Sequence, residues 1–227
     1  MGALLPASLE SLTGMLDKAL ICFAVKEEAK FFVEPEPEIL ITGMGGLNAE
    51  KSLQATLKKK PYGVVLSCGF AGALNPALRV GAVIFQADDD SRFSSLLSAG
   101  ASAAKFHFSD RVATTAAEKK LLRENTGADA VEMESQVIRS ICRKLGIPSA
   151  TVRVISDAAN EDLPVDFNSL MSAEQRLDYG RLLWTVLKSP RKIPALLRLQ
   201  RQTQFAAQNL AEVLRRITRA PLSPLEK

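Results

Sequence analysis

A chain of 227 residues, 47% of them hydrophobic, has enough material for one substantial core, and a single α/β domain is the reading its length favours. The net charge of +4 is modest, no apolar stretch reaches the roughly 18 residues a bilayer span needs, and the opening MGALLPASLESLTGMLD lacks the basic start of a secretory signal. Three separated cysteines in apolar surroundings (Cys22, Cys68, Cys142) and a single histidine, His107, point to a reduced, cytoplasmic setting and leave little for a His-rich zinc site or a His-based triad.

In chain order, ALICFAV (19–25), EILITGMG (38–45), GVVLSCG (63–69), GAVIFQA (81–87) and ATVRVIS (150–156) are short apolar runs followed by turn residues. Continuous rather than alternating apolarity predicts strands covered on both faces. Between them, NAEKSLQATLKKK (48–60) and ESQVIRSICRKLG (134–146) carry helical patterns, and the second stops at Gly146 with Pro148 beyond it. The alternation predicts a largely parallel sheet with helices on both sides. In such sheets a ligand sits beyond the carboxyl ends of the strands, where Gly43, Gly45, Gly69, Gly72, Ser156 and Asp157 fall.

From Met171 onward the composition changes, and the stretch 176–219 holds ten basic residues against Asp178 and Glu212. Ala206, Leu210, Val213, Leu214 and Ile217 repeat there at helical spacing, LLWTVL adds apolar surface, and Pro190 and Pro194 divide the region into two helices with a kinked joint. The domain is therefore read as a core over about 19–168 with a basic helical extension over about 171–220. That extension suits an anionic membrane surface, or else a subunit interface or a core-covering role. Few aromatics accompany its arginines, so nucleic acid is not an expected partner.

The segment AVEMESQVIRSICRKLGIPSATVRVISDAAN (130–160) raises a chemical question, because Glu132 and Glu134 open a helix-like stretch and Asp157 ends a buried strand. A buried carboxylate is costly unless paired or used. Asp157 reads equally as an active-site acid or as a cap for the next segment, and Glu134 as a site residue or a first-turn acid favoured by the helix dipole.

The same segment, with FAVKEEA (23–29), TGMGGLNA (42–49) and SCGFAGALNPALRVGAVIF (67–85) upstream in order, resembles the purine nucleoside phosphorylase and methylthioadenosine/S-adenosylhomocysteine nucleosidase superfamily over about 19–168. FSDRVATTAAEKKLLRENTGADAVEMES (108–135) and LKSPRKIPALLRLQRQTQFAAQNL (187–210) are similar to the hopanoid-associated phosphorylases within it. The resemblance implies a three-layer α/β fold with a central, mostly parallel or mixed sheet. It also implies an enzyme that releases adenine from an adenine nucleoside, an adenosylated hopane lipid in the closer subfamily. No cofactor or metal is implied, phosphate is the alternative to water as acceptor, and a homodimer is the first assembly to expect.

Breaking an N-glycosidic bond builds positive charge on the ribose and negative charge on the base, so an acid near the purine and acceptors around the sugar are needed. By the resemblance, Asp157 is the general acid at purine N7, oriented by Ser156, and Glu134 accepts the ribose hydroxyls while Met133 packs on the sugar. Glu28 matches the acid that activates water, with Arg153 nearby; in a phosphorylase, Arg153 and the Gly43–Gly46 and Gly69–Gly72 turns would hold phosphate instead. The other reading of Glu28 is a solvated charge in KEEAK. Glu132 is expected to support the turn.

Two substrate-site positions depart from the pattern. Phe70 stands where the nucleosidases have a small hydroxyl residue, and Val112 where they have an aromatic that stacks on the base, leaving Phe106 or Phe108 to stack. The segment between Ala87 and Phe106 is short and polar, which predicts an open wall near the 5′ group; His107 reads as a surface or loop histidine. The rival functions are a nucleosidase acting on small adenosine thioethers and an adenine-nucleoside binding protein without turnover. A Rossmann oxidoreductase is disfavoured, because GMGGLNA lacks the G-x-G-x-x-G spacing.

Overall fold

The structure, a computed structural model, describes residues 18–88, 90–170, 172 and 189–219. Among them, eight strands form one sheet: β1 (Ala19–Phe23), β2 (Glu38–Ile41), β3 (Val64–Ala73), β4 (Val83–Ala87), β5 (Ser102–Ala103), β6 (Phe106–Phe108), β7 (Ala130–Glu132) and β8 (Ser149–Asp157). The main order is β2-β1-β3-β8-β4-β5, with β7 beside the end of β3 and β6 beside β7. Pairs β1/β2, β1/β3, β3/β8, β4/β5 and β6/β7 are parallel, whereas β4/β8 and β3/β7 are antiparallel. The sheet is thus mixed and mostly parallel.

Every residue of β1 and β8 is buried; β1 is apolar throughout, whereas β8 takes Arg153 and Asp157 inside with its Val and Ile residues. Alternate side chains of β1 enter different cores. Ile21 and Phe23 join Leu66, Val152 and Val154 on one face, while Leu20 and Cys22 join Val65 on the other. The second face is covered by α2 (Gly46–Leu57) and α5 (Ser135–Lys144), through Ala49, Leu53, Ile138 and Ile141. The other α-helices among the described residues are α1 (Lys26–Ala29), α3 (Ser94–Ser98), α4 (Ala116–Thr126) and α6 (Ile193–Arg219).

Helix α6 covers the first face with Ala206, Leu210, Leu214 and Ile217, which belong to the same apolar cluster as β1, β3 and β8. This is the core-covering role, so the apolar stripe of 206–217 is not free to lie on a membrane. Much of its basic charge is also engaged, since Arg219 and Arg215 pair with Glu34 and Arg198 with Glu161. Pro190 opens a single 3₁₀ turn, Pro190–Lys192, and Pro194 sits in the first turn of α6, where a missing N–H costs nothing. The expected preceding helix, with LLWTVL, Arg176, Arg181 and Lys188, lies outside the described residues. No helix among the described residues is long and apolar enough to cross a membrane. Cys22, Cys68 and Cys142 are free and buried, and burial pushes the Cys68 thiol up to about 12 and that of Cys142 to about 11.

Candidate active site

A cavity of about 180 Å³ opens beside the carboxyl end of β8 and gathers Glu28, Phe70, Val112, Met133, Glu134, Ser156 and Asp157. Seven of the ten residues expected at the site therefore line one space, though they come from five separate stretches of chain.

Glu28 is 6% exposed, which overturns the solvated alternative. It sits on α1, the short turn after β1, and both oxygens are held by backbone donors: Oε2 accepts from the N–H of Ala24 (2.8 Å) and Val25 (3.1 Å), Oε1 from Phe70 (2.8 Å). Burial raises its pKa, against the opposing effects of these N–H groups and of Arg153. Gly69 is needed behind it, because a Cβ there would lie 2.5 Å from Glu28 Oε1. Gly69 is accordingly a seat for the carboxylate and not part of the cavity wall.

Glu132 closes β7 and caps α5. Its Oε2 accepts from the N–H groups of Glu134 (3.0 Å) and Ser135 (2.8 Å), and its Oε1 from Ser135 Oγ (2.7 Å). Both Glu132 and Glu134 border the cavity, but the capping duty falls on Glu132, whereas Glu134, at the helix N-cap position, makes no side-chain cap bond. Glu134 Oε1 accepts from Gly45 N–H at 2.8 Å. Burial pushes its carboxyl up to about 7, opposed by Arg153 and reinforced by the charges of Glu132 and Glu28.

Arg153 is placed differently from expectation. It is 1% exposed, does not line the cavity, and has its guanidinium committed to Ser67 O (2.7 Å), Ser67 Oγ (3.2 Å) and Glu132 (2.6 Å), with Glu134 Oε2 at 3.5 Å. Desolvation works against its charge, yet Glu132, Glu134 and Glu28 hold its pKa above the usual value. A strand alternates its side chains, so Arg153, between Val152 and Val154 of the α6-side core, points to the opposite face where β7 and α5 bring their acids. It supports Glu134 from behind.

Gly43 is also outside the cavity. With φ of +88° it turns the chain, and its N–H donates to Ala24 O; Met44 and the Gly45 N–H are what that loop contributes to the site. Phe106 and Phe108 line a separate polar recess with Gln86 and Arg139, so neither stacks in the cavity. His107 lies between them on β6, paired with Val131, and is half-buried in a strand.

Asp157 is the last residue of β8, aimed by a register shift between Ala71 and Gly72 of β3 that sets Gly72 opposite it. It does not act as a helix cap. Its Oδ1 is held by Ser156 Oγ (2.6 Å) and its Oδ2 by Lys119 Nζ (2.5 Å). The lysine was not apparent in the sequence, where AAEKKLLRENT looks like a solvated helix; the available signal is that Lys119 and Leu122, three apart, share a face. Arg111 at the cavity rim was also missed. Its side chain is 63% exposed and paired with Glu118. Among the described residues no group of His, Cys, Asp and Glu is placed to hold a metal ion.

The model of the phosphorylase superfamily matches residues 101–188. A 5′-methylthioadenosine/S-adenosylhomocysteine nucleosidase of Shewanella frigidimarina is 43% identical over 51 residues, 22% of either chain. Another from Shewanella sp. (strain W3-18-1) is 48% identical over 40 residues, 18% of this chain and 17% of that one. The chain thus matches about a fifth of the length of these curated relatives. Among solved structures, the nucleosidase from Neisseria meningitidis in complex with methylthio-immucillin-A superposes with a TM-score of 0.63 at 17% identity, over 88% of this chain and 97% of that one. Futalosine hydrolase of Helicobacter pylori gives 0.62 at 18% identity, over 88% and 96%. These two likenesses establish the fold.

Proposed function

We propose that this chain, a member of the phosphorylase superfamily, cleaves the N-glycosidic bond of an adenine nucleoside with water and releases adenine. The observation that carries the reading is the convergence of Glu28, Glu134 and Asp157, from three separate elements, on one cavity. Asp157 gives a proton to purine N7 as the bond's electron pair goes to N9, and Ser156 orients it. Glu134 accepts the ribose hydroxyls, and its charge with that of Glu28 favours the oxocarbenium character developing on the sugar. Glu28 takes the proton of the water that attacks C1′. Met133 packs on the sugar, and Phe70 and Val112 border the nucleoside. Gly69, Gly43 and Arg153 act one step back, through the carboxylates and the loop they support.

Water is favoured over phosphate by where the cations and amides are spent. Arg153 is committed to Glu132 and Ser67, the N–H groups of Gly45 and Phe70 to Glu134 and Glu28, and Gly43 N–H to Ala24 O. Two carboxylates at the sugar end would repel a phosphate dianion. Adenine as the base follows the relatives, whose names specify methylthioadenosine and S-adenosylhomocysteine.

For the 5′ group, the cavity of about 180 Å³ is small beside typical ligand sites of roughly 300–1,000 Å³, so a large substituent has to lie outside it. A hopane-linked 5′ group is our finer reading. It is supported by the resemblance of 108–135 and by Ile193 and Leu197, exposed on α6 beside Arg191 and Lys192. The test is adenine release from adenosine, methylthioadenosine and an adenosylated hopane analogue, with and without phosphate. Release independent of phosphate, lost about 10²–10⁴-fold in Asp157→Asn while nucleoside binding survives, is the expected result. A phosphate requirement, or unchanged turnover in that variant, would overturn it.

A further inference from the structure

Lys119 is fully buried on α4, a helix whose other residues are mostly polar and at least partly exposed. A buried ammonium is costly unless every proton finds an acceptor. Here all three do: Nζ lies 2.5 Å from Asp157 Oδ2, 2.9 Å from Ala158 O and 2.9 Å from Glu161 O. Lys119 does not line the cavity, so it meets the proposed acid from behind while Ser156 holds the other oxygen. It also ties α4, and the Arg111–Ala113 wall that precedes it, to the loop that carries Leu163 into the cavity, where Leu163 N–H donates to Thr114 O.

We propose that Lys119 is the positioning residue of the leaving-group acid, orienting the Asp157 carboxyl and stabilising the carboxylate that remains once the proton has passed to purine N7. The inference rests on the hydrolytic reading above. In the step, the Asp157 O–H bond breaks and the N7–H bond forms, the glycosidic electron pair moves to N9, and the ammonium of Lys119 keeps all its protons throughout. A need for packing alone does not explain the residue, because buried ion pairs are commonly replaced by apolar side chains of similar volume without loss of stability. A cation held against the conjugate base of an acid acts on the chemical step instead.

The experiment compares Lys119→Met and Lys119→Gln with Asp157→Asn and wild type on two ribosides, adenosine and 4-nitrophenyl β-ribofuranoside, whose leaving group departs without a proton. Lys119 variants are expected to lose about 10²-fold in kcat on adenosine, with KM little changed, and to retain nitrophenol release, which also reports that they are folded. Equal losses on both substrates, with Asp157→Asn still selective for adenosine, would make Lys119 structural and overturn the proposal while leaving the hydrolytic reading intact. Equal losses on both substrates in Asp157→Asn would remove Asp157 as the acid, and the role of Lys119 with it.

Discussion

Burial pushes the Glu134 carboxyl up to about 7, whereas the role proposed for it, accepting from two ribose hydroxyls, is best served by the ionised form. Its folded pKa lies above the roughly 4.3 of an unfolded glutamate, so the native state binds the extra proton between these values. The associated stability is complete below about pH 4.3 and is lost as the pH rises through about 7. Glu134→Gln is therefore expected to flatten the fall of the thermal midpoint between pH 5 and 8, without abolishing it, because Glu28 is raised as well. In the same variant, riboside binding weakens far more than binding of free adenine; equal weakening would take Glu134 away from the sugar. Glu28→Gln carries a different penalty. One oxygen becomes an NH₂ donor facing either Ala24 and Val25 N–H or Phe70 N–H, so a buried donor is left unpaired at a cost of about 1–3 kcal/mol in denaturant unfolding, together with loss of hydrolysis.

At the scale of elements, the site depends on where strands end and on what stands behind them. The Gly69 position of β3 leaves room for Glu28, and Gly69→Ala would press a methyl group to 2.5 Å from its Oε1. Steady-state kinetics of that variant should show turnover falling more than affinity for free adenine, since the base of the proposed reaction is displaced and the purine end is not. Helix α6 reads in isolation as an amphipathic basic helix, yet Leu210 and Leu214 are fully buried against β1, β3 and β8. Leu214→Ala is expected to cost about 2–5 kcal/mol in denaturant unfolding, the range for truncation of a packed core leucine. A surface-lying helix would lose almost nothing.

For the whole molecule, part of the basic charge of the stretch 176–219 is answered by acids outside it, as Glu34 receives Arg215 and Arg219, and Glu161 receives Arg198. Among the described residues, the membrane contact proposed above rests on the start of α6, with Ile193 and Leu197 exposed beside Arg191 and Lys192. Co-sedimentation with anionic vesicles should fall when Arg191 and Lys192 are both changed to Gln, and binding insensitive to that change would place the contact elsewhere. The five long strands and the helices α2 and α5 were legible because unbroken apolar runs and 3.6-residue periodicity are local signals. The three-residue strands β6 and β7 carry no period to read. The acids of VEMES and VISD were legible as candidates by residue type and by resemblance, and the opening of β3 and β8 onto one crevice followed from the strand alternation. What the sequence determined by itself was therefore which groups are available and which elements carry them. Only the tertiary structure decided that Arg153 faces inward to Glu132, that Glu132 caps while Glu134 serves the cavity, and that Lys119 backs Asp157. Desolvation and pairing of a charge depend on partners tens of residues away, 38 between Lys119 and Asp157 and 42 between Glu28 and Phe70, and no local pattern encodes those distances.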